Sequence, residues 1–148
     1  APEASVYLLQ YLTKKPFHYF EANSGYHSGK GIQEPFEHGY EGQLYFLIDG
    51  EGQSTTGHFM AIVKDLNLGS IIGEELGSNQ FCTAVQTICR LKNTKIEFYV
   101  ANSVSRLANN NMPDEKGILP DHEIYQSIED YLNEVDAVKN YALELIIQ

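Results

Sequence analysis

The chain has no tryptophan, only two cysteines in 148 residues, and half as many basic as acidic side chains, ten Lys and Arg against twenty Asp and Glu. Each shortage excludes something. With a formal charge of −10 and a pI near 4.8, there is no reserve of clustered Lys and Arg to displace counterions from a phosphate backbone, so nucleic acid is not an expected partner. Cys82 and Cys89 are too few for a disulfide scaffold and lack the spacing of a zinc site. They are either two separate buried thiols or a pair bridged across a hairpin. No apolar run approaches the roughly 20 residues of a membrane-spanning helix. The opening APEASVYLLQYL has no basic segment and no small-residue cleavage site, so no export signal is visible there.

What is present suits one compact domain, residues 1–148, long enough to bury a core without metal or disulfide support. Pro2 and Glu3 stand where a helix first turn takes a proline and an acid, and Val6, Leu8, Leu9 and Leu12 share one face. A helix from Pro2 to Leu12 follows. Its blunt start leads us to expect a piece of a longer polypeptide whose N-terminal segment is missing. Residues 17–42, rich in Gly, His, Tyr and Glu, read as an irregular excursion with FHYFEA as its one strand-like piece, a length usual for functional lids or insertions.

Leu44 to Ile48 is a continuous apolar run suited to a strand buried on both faces. Ser54 to Lys64 has helical spacing, with Phe59, Met60, Ile62 and Val63 on its apolar face, and Ser70 to Gly73 is the next short strand. Strand, helix and strand within about thirty residues form a βαβ unit and place a parallel sheet at the centre. Gln80 to Leu91 and Thr94 to Ala101 predict a hairpin turning at Lys92-Asn93, with Ile96, Phe98 and Val100 alternating with polar neighbours. After an Asn-rich loop at 109–111 and GILPD, helices are expected near Ile124 to Leu132 and over Ala137 to Ile147, the last stretch presenting a solvated acidic face.

The chemistry turns on Ser54, inside LYFLIDGEGQSTTGHF. A serine at a strand-to-helix junction caps the helix by accepting a hydrogen bond from a first-turn N–H. The same place suits a nucleophile, because free N–H groups and the positive end of the helix dipole stabilise an oxyanion. Local sequence decides neither, since a nucleophile also needs a base within hydrogen-bond reach. His58, one turn on, is poorly directed toward a cap residue and reads better as a packed or hydrogen-bonded histidine. His18, His27 and His38 lack metal-ligand spacing and read as solvated loop positions, and no metal or cofactor is expected. Asp121 suits a local turn hydrogen bond after Pro120. Glu74 and Glu75 read as strand-end carboxylates bonded to backbone N–H groups.

Five pieces in order, LYFLID, GEGQ with Ser54, IIGEELG with Gly73 and Glu74, the hairpin CTAVQTICRLKNTKIEFYV, and GILPD with Gly117, Pro120 and Asp121, resemble the C-terminal part of the catalytic domain of C-terminal processing (tail-specific) serine peptidases, nearer the tricorn-like branch. The resemblance covers Leu44 to Asp121. It implies an α/β fold, a crotonase/ClpP-like ββα core with a mostly parallel sheet, an antiparallel hairpin and flanking helices. It implies a serine endopeptidase acting on peptides or proteins, with Ser54 as nucleophile and the Thr55 N–H as one oxyanion donor. The lysine base of one branch falls at Asn79, which has no basic lone pair; Lys92 and Lys95 are poor substitutes. In the tricorn-like branch the base is a histidine from an upstream segment, and its supporting carboxylate falls at Asp114, with Glu115 as rival. The second oxyanion donor also lies upstream, so this chain alone is expected to hydrolyse little. Often-exported relatives imply a periplasmic or extracellular setting, which would allow a Cys82–Cys89 disulfide. A peptide-binding relative that has lost its base is the alternative. A crotonase-type acyl-CoA enzyme shares the architecture, but its acyl-CoA pattern is absent. An unpaired sheet edge left by the missing segment would invite a homodimer.

Overall fold

The computed structural model describes every residue except Ala1, Asn23, Gly25, Tyr26, His27, Ser28, Asn109, Asn110, Asp114 and Gln148, and only the backbone of Ala84 and Val85. Helix α1 (Pro2–Leu12) runs into an arm whose strands β1 (Phe17–His18) and β2 (Ile32–Gln33) pair antiparallel. Strand β3 (Tyr45–Ile48), helix α2 (Thr55–Asp65) and strand β4 (Ser70–Gly73) follow, then the hairpin β5 (Phe81–Arg90) and β6 (Glu97–Arg106). Strand β7 (His122–Glu123), α3 (Ile128–Leu132) and α4 (Ala137–Ile147) complete the order. Two of the helices, α1 and α4, have the limits that apolar periodicity predicts.

The central sheet has the order β3-β4-β7, all parallel, with Phe46 opposite Ile71 and Ile48 opposite Gly73. Side chains alternate between faces along a strand. Phe46 and Ile71 therefore share the face covered by α2, where the Phe46 and Phe59 rings meet edge to face at 6.0 Å. Val6 and Leu9 of α1, Met60 and Val63 of α2, Ile71, Leu76 and Ile118 make one continuous apolar cluster. Ile72 points the opposite way and is fully buried where α4 packs on the sheet. The Tyr141 hydroxyl of α4 meets His122 Nδ1 of β7 at 3.1 Å. Strand β7 was invisible in the sequence, being two polar residues whose place is set by pairing with Ile72 and Gly73.

Several expectations need correcting. β3 is not buried on both faces: it is an edge strand among the described residues, and Leu47 is 47% exposed. The segment 17–42 holds one strand more than expected: FHYFEA contains β1, as its strand-like pattern suggested, with Phe17, Tyr19 and Phe20 buried and Phe20 bridged to Leu107, but β2 lies in the stretch read as irregular. In the hairpin, alternation does not report a half-buried ribbon. Ile96, Phe98, Tyr99 and Val100 are all exposed, so both faces of β6 near the turn are open. The turn spans Leu91 to Ile96, with Lys95 in the left-handed region, and β6 runs five residues beyond Ala101. Helix α3 starts at Ile128 rather than 124, because the Ser127 hydroxyl accepts from the Asp130 N–H and the Asp130 carboxylate accepts from the Ser127 N–H.

The disulfide also fails on geometry. Cys82 and Cys89 both lie on β5, seven residues apart on one extended strand, roughly 23 Å, far beyond bridging distance. Both thiols are free and half-buried rather than buried.

Where β3 and β4 end, Gly73 has φ +127° and the Glu74 N–H bonds the Ile48 carbonyl at 3.1 Å. A Cβ at Gly73 would lie 2.0 Å from that carbonyl oxygen, so both conformation and space demand glycine. Gly73→Ala is expected to lower unfolding free energy by roughly 2–4 kcal/mol. In urea titration this appears as a lower midpoint at unchanged slope, and an unmoved midpoint would refute the close approach.

Candidate active site

The site is built at the end of β3. Beyond Ile48, the Asp49 carboxylate accepts the Glu51 N–H at 2.9 Å and the Asp49 carbonyl accepts the Gly52 N–H at 3.3 Å, turning the chain back toward α2. Ser54 then takes φ 58°, ψ −123°. For a non-glycine residue that is a strained conformation, costing on the order of 1–3 kcal/mol. Its carbonyl accepts the Gly57 N–H at 2.9 Å, but its hydroxyl makes no capping bond to the helix. The cap reading of Ser54 therefore fails. The backbone turns the side chain away from the first-turn N–H groups that a cap would engage.

Ser54 is exposed, and its Oγ lies 3.5 Å from the Cys82 Sγ of β5. Thr55 is the first residue of α2, where an N–H has no partner inside the helix. The first turn of α2 also receives the loop before β5. A Cβ on Gly57 would lie 2.2 Å from Ser78 Oγ and 2.3 Å from the Asn79 carbonyl, so a glycine lets that loop approach. Asn79 thus stands beside the site, but its side-chain carbonyl accepts the Phe81 N–H at 3.0 Å, a turn-forming role.

The remaining sequence candidates separate clearly. Asp114 lies outside the described residues, as does His27. Glu115 is exposed and lines a groove of about 510 Å³ with Glu75, Ser78, Asn79 and Gly117. Glu75 accepts the Gly117 N–H at 2.7 Å and Glu74 the Gln126 N–H at 3.4 Å, the backbone-tying roles expected of them. Asp121 is not engaged in a local turn. It accepts the Ile71 N–H at 2.9 Å and pairs with Lys64 at 3.4 Å, joining β4 and α2 to a residue fifty positions away. His18 and His38 are exposed. Cys82 was not foreseen as a site residue, and no local signal places position 82 against 54, since the contact depends on how β5 packs on α2.

An α/β domain with a strained serine at a strand-to-helix junction has the build of a peptidase. The pattern of Peptidase family S41 matches residues 3–124, and the chain belongs to that family. Its fold is similar to that of a presumed peptidase of Parabacteroides merdae, at TM-score 0.69 and 16% identity, covering 100% of this chain and 48% of that one. It is also similar to the tricorn protease, at TM-score 0.55 and 20% identity, covering 97% of this chain and 13% of that one. The photosystem II D1 C-terminal processing protease is similar at TM-score 0.56 and 19% identity, covering 84% and 31%. The chain thus spans about half the length of the first of these structures, 48%. No curated protein sequence matches it. The expected family and its α/β fold are both met.

Of the two roles suggested for His58, packed or hydrogen-bonded, the structure shows the first. It is fully buried, edge-on to Phe20 at 5.3 Å and Tyr19 at 6.0 Å, and neither ring nitrogen has a hydrogen-bond partner. It is therefore not bonded to Ser54 Oγ. Burial lowers its pKa from 6.5 to about 4, the Ser105 backbone opposing this slightly without reaching hydrogen-bond geometry. Tyr19, buried beside it, has its phenol pushed up, chiefly by burial, against the effect of Ser5. Below pH 6.5 the unfolded chain protonates this histidine and the folded chain does not. Stability is therefore complete above pH 6.5 and falls as pH drops toward 4, by up to about 3 kcal/mol. Urea midpoints at pH 7 and 4.5 should differ more in the native sequence than in His58→Leu; equal differences would show that His58 is not the source.

Proposed function

We propose that this chain carries the nucleophile of a serine endopeptidase, with Ser54 attacking the scissile carbonyl and the Thr55 N–H donating to the resulting oxyanion. The single observation that carries this reading is Ser54 itself: a strained residue at the start of α2 whose exposed hydroxyl is left uncapped. Strain that no side-chain cap offsets points to a role outside folding. One oxyanion donor of this kind contributes about 3 kcal/mol to transition-state stabilisation. Asp114 is the carboxylate we assign to orienting the base, and peptides or proteins are the substrates. No metal or cofactor takes part in this scheme.

The base is the missing piece. Among the described residues, the side-chain partner of Ser54 Oγ is Cys82, and no Lys or His nitrogen bonds it. We therefore infer that a histidine from an upstream segment completes the site and that this chain alone hydrolyses little. The alternative is a peptide-binding relative without a base, favoured by Asn79 serving a turn. Cleavage assays of the full-length protein decide between them. Ser54→Ala should reduce peptide hydrolysis by at least about a thousand-fold; equal activity in both forms removes the nucleophile, and an inert full-length protein that still binds peptide supports the alternative. A periplasmic or extracellular setting goes with this reading. Among the described residues, no helix is long and apolar enough to cross a membrane.

We also propose that β3, an edge strand among the described residues and carrying exposed Leu47, joins this chain to a second copy through that edge. Light scattering should then give a mass that rises from one chain to two with concentration. A single-chain mass throughout would refute the pairing.

A further inference from the structure

We propose that Cys82 positions the nucleophile, its thiol acting as a hydrogen-bond donor to Ser54 Oγ; this rests on the serine-peptidase reading above. The Sγ–Oγ separation of 3.5 Å is within reach of a sulfur hydrogen bond, and either atom could donate. Catalysis fixes the direction. Once a base accepts the Ser54 hydroxyl proton, Oγ can only accept from the thiol, and a weak S–H donor then faces the oxygen on which negative charge develops. Among the described residues the thiol also reaches the Thr83 carbonyl at 3.8 Å, so its proton can turn between a resting and an engaged position.

The rest of the geometry explains why a neighbour is needed. Ser54 makes no capping bond, so nothing in its own helix fixes the hydroxyl. Cys82, in contrast, is held firmly. It lies opposite the buried Ser105 in the β5–β6 ladder, the Phe81 N–H before it is tied to the Asn79 side chain at 3.0 Å, and Arg106 lies over the Phe81 ring at 4.8 Å. A strand position fixed on both sides thus supplies the reference against which a loose hydroxyl is aimed. Cys82 takes no proton and forms no bond to substrate; it acts through Ser54.

The test uses the full-length protein, measuring kcat and KM on a peptide together with the rate at which a fluorophosphonate labels Ser54. Cys82→Ala should lower kcat and the labelling rate by about three- to ten-fold with KM unchanged, and Cys82→Ser should restore both. A filler role for the thiol would move thermal stability instead and would not be rescued by serine. In a Cys89→Ala background, methyl methanethiosulfonate removes the S–H donor without substitution: the thiolate displaces methanesulfinate and forms a methyl disulfide. Labelling of Ser54 should slow and recover on reduction with dithiothreitol. Equal labelling of the native, Cys82→Ala and modified forms overturns this inference alone. A native protein whose Ser54 is not labelled overturns the peptidase reading and this inference with it.

Discussion

The contact on which the site depends is the one at the end of the parallel pair, where the Ile48 carbonyl accepts the Glu74 N–H and Gly73 leaves no room for a side chain. From that point two chains diverge. One is the turn from Asp49 to Ser54; the other passes Leu76 and Asn79 to Cys82. Their ends meet again at the first turn of α2, where Gly57 lets the second loop approach. A displacement of the strand ends would separate Ser54 from Cys82 even with every other residue unchanged. Parallel pairing thus acts at a distance through two loops of limited slack.

The elements governed by local rules were legible in the sequence. Apolar periodicity gave α1 and α4 their limits, and the apolar run LYFLI together with SIIG gave the parallel pair. What escaped were features settled by distant contacts. The two polar residues of β7 form a strand only because Ile72 and Gly73 offer an edge, and Asp121 finds its partners in β4 and α2 rather than in its own turn. Strand β2 escaped as well, because Ile32 and Gln33 sit among glycine and polar residues and form a strand only by pairing with Phe17 and His18.

The site divides in the same way. Order of motifs pointed to Ser54, and nothing within its own stretch could separate a cap from a nucleophile; the backbone angles and the absent capping bond remove the cap. The Cys82 contact could not be read from sequence, because a hairpin strand rotated by one residue would turn the thiol to the other face. The same uncertainty of face explains the β6 ribbon, whose alternation was real although no layer covers either side of it near the turn.

Ser54 has one further consequence. Folding gains little from a serine there: it caps nothing, it occupies a conformation that glycine adopts freely, and its exposed side chain buries no apolar surface. Selection for stability alone would replace it early with a residue that relaxes the backbone. A thermostability screen that leaves position 54 free would therefore favour glycine there, and would remove the hydroxyl on which the proposed chemistry rests.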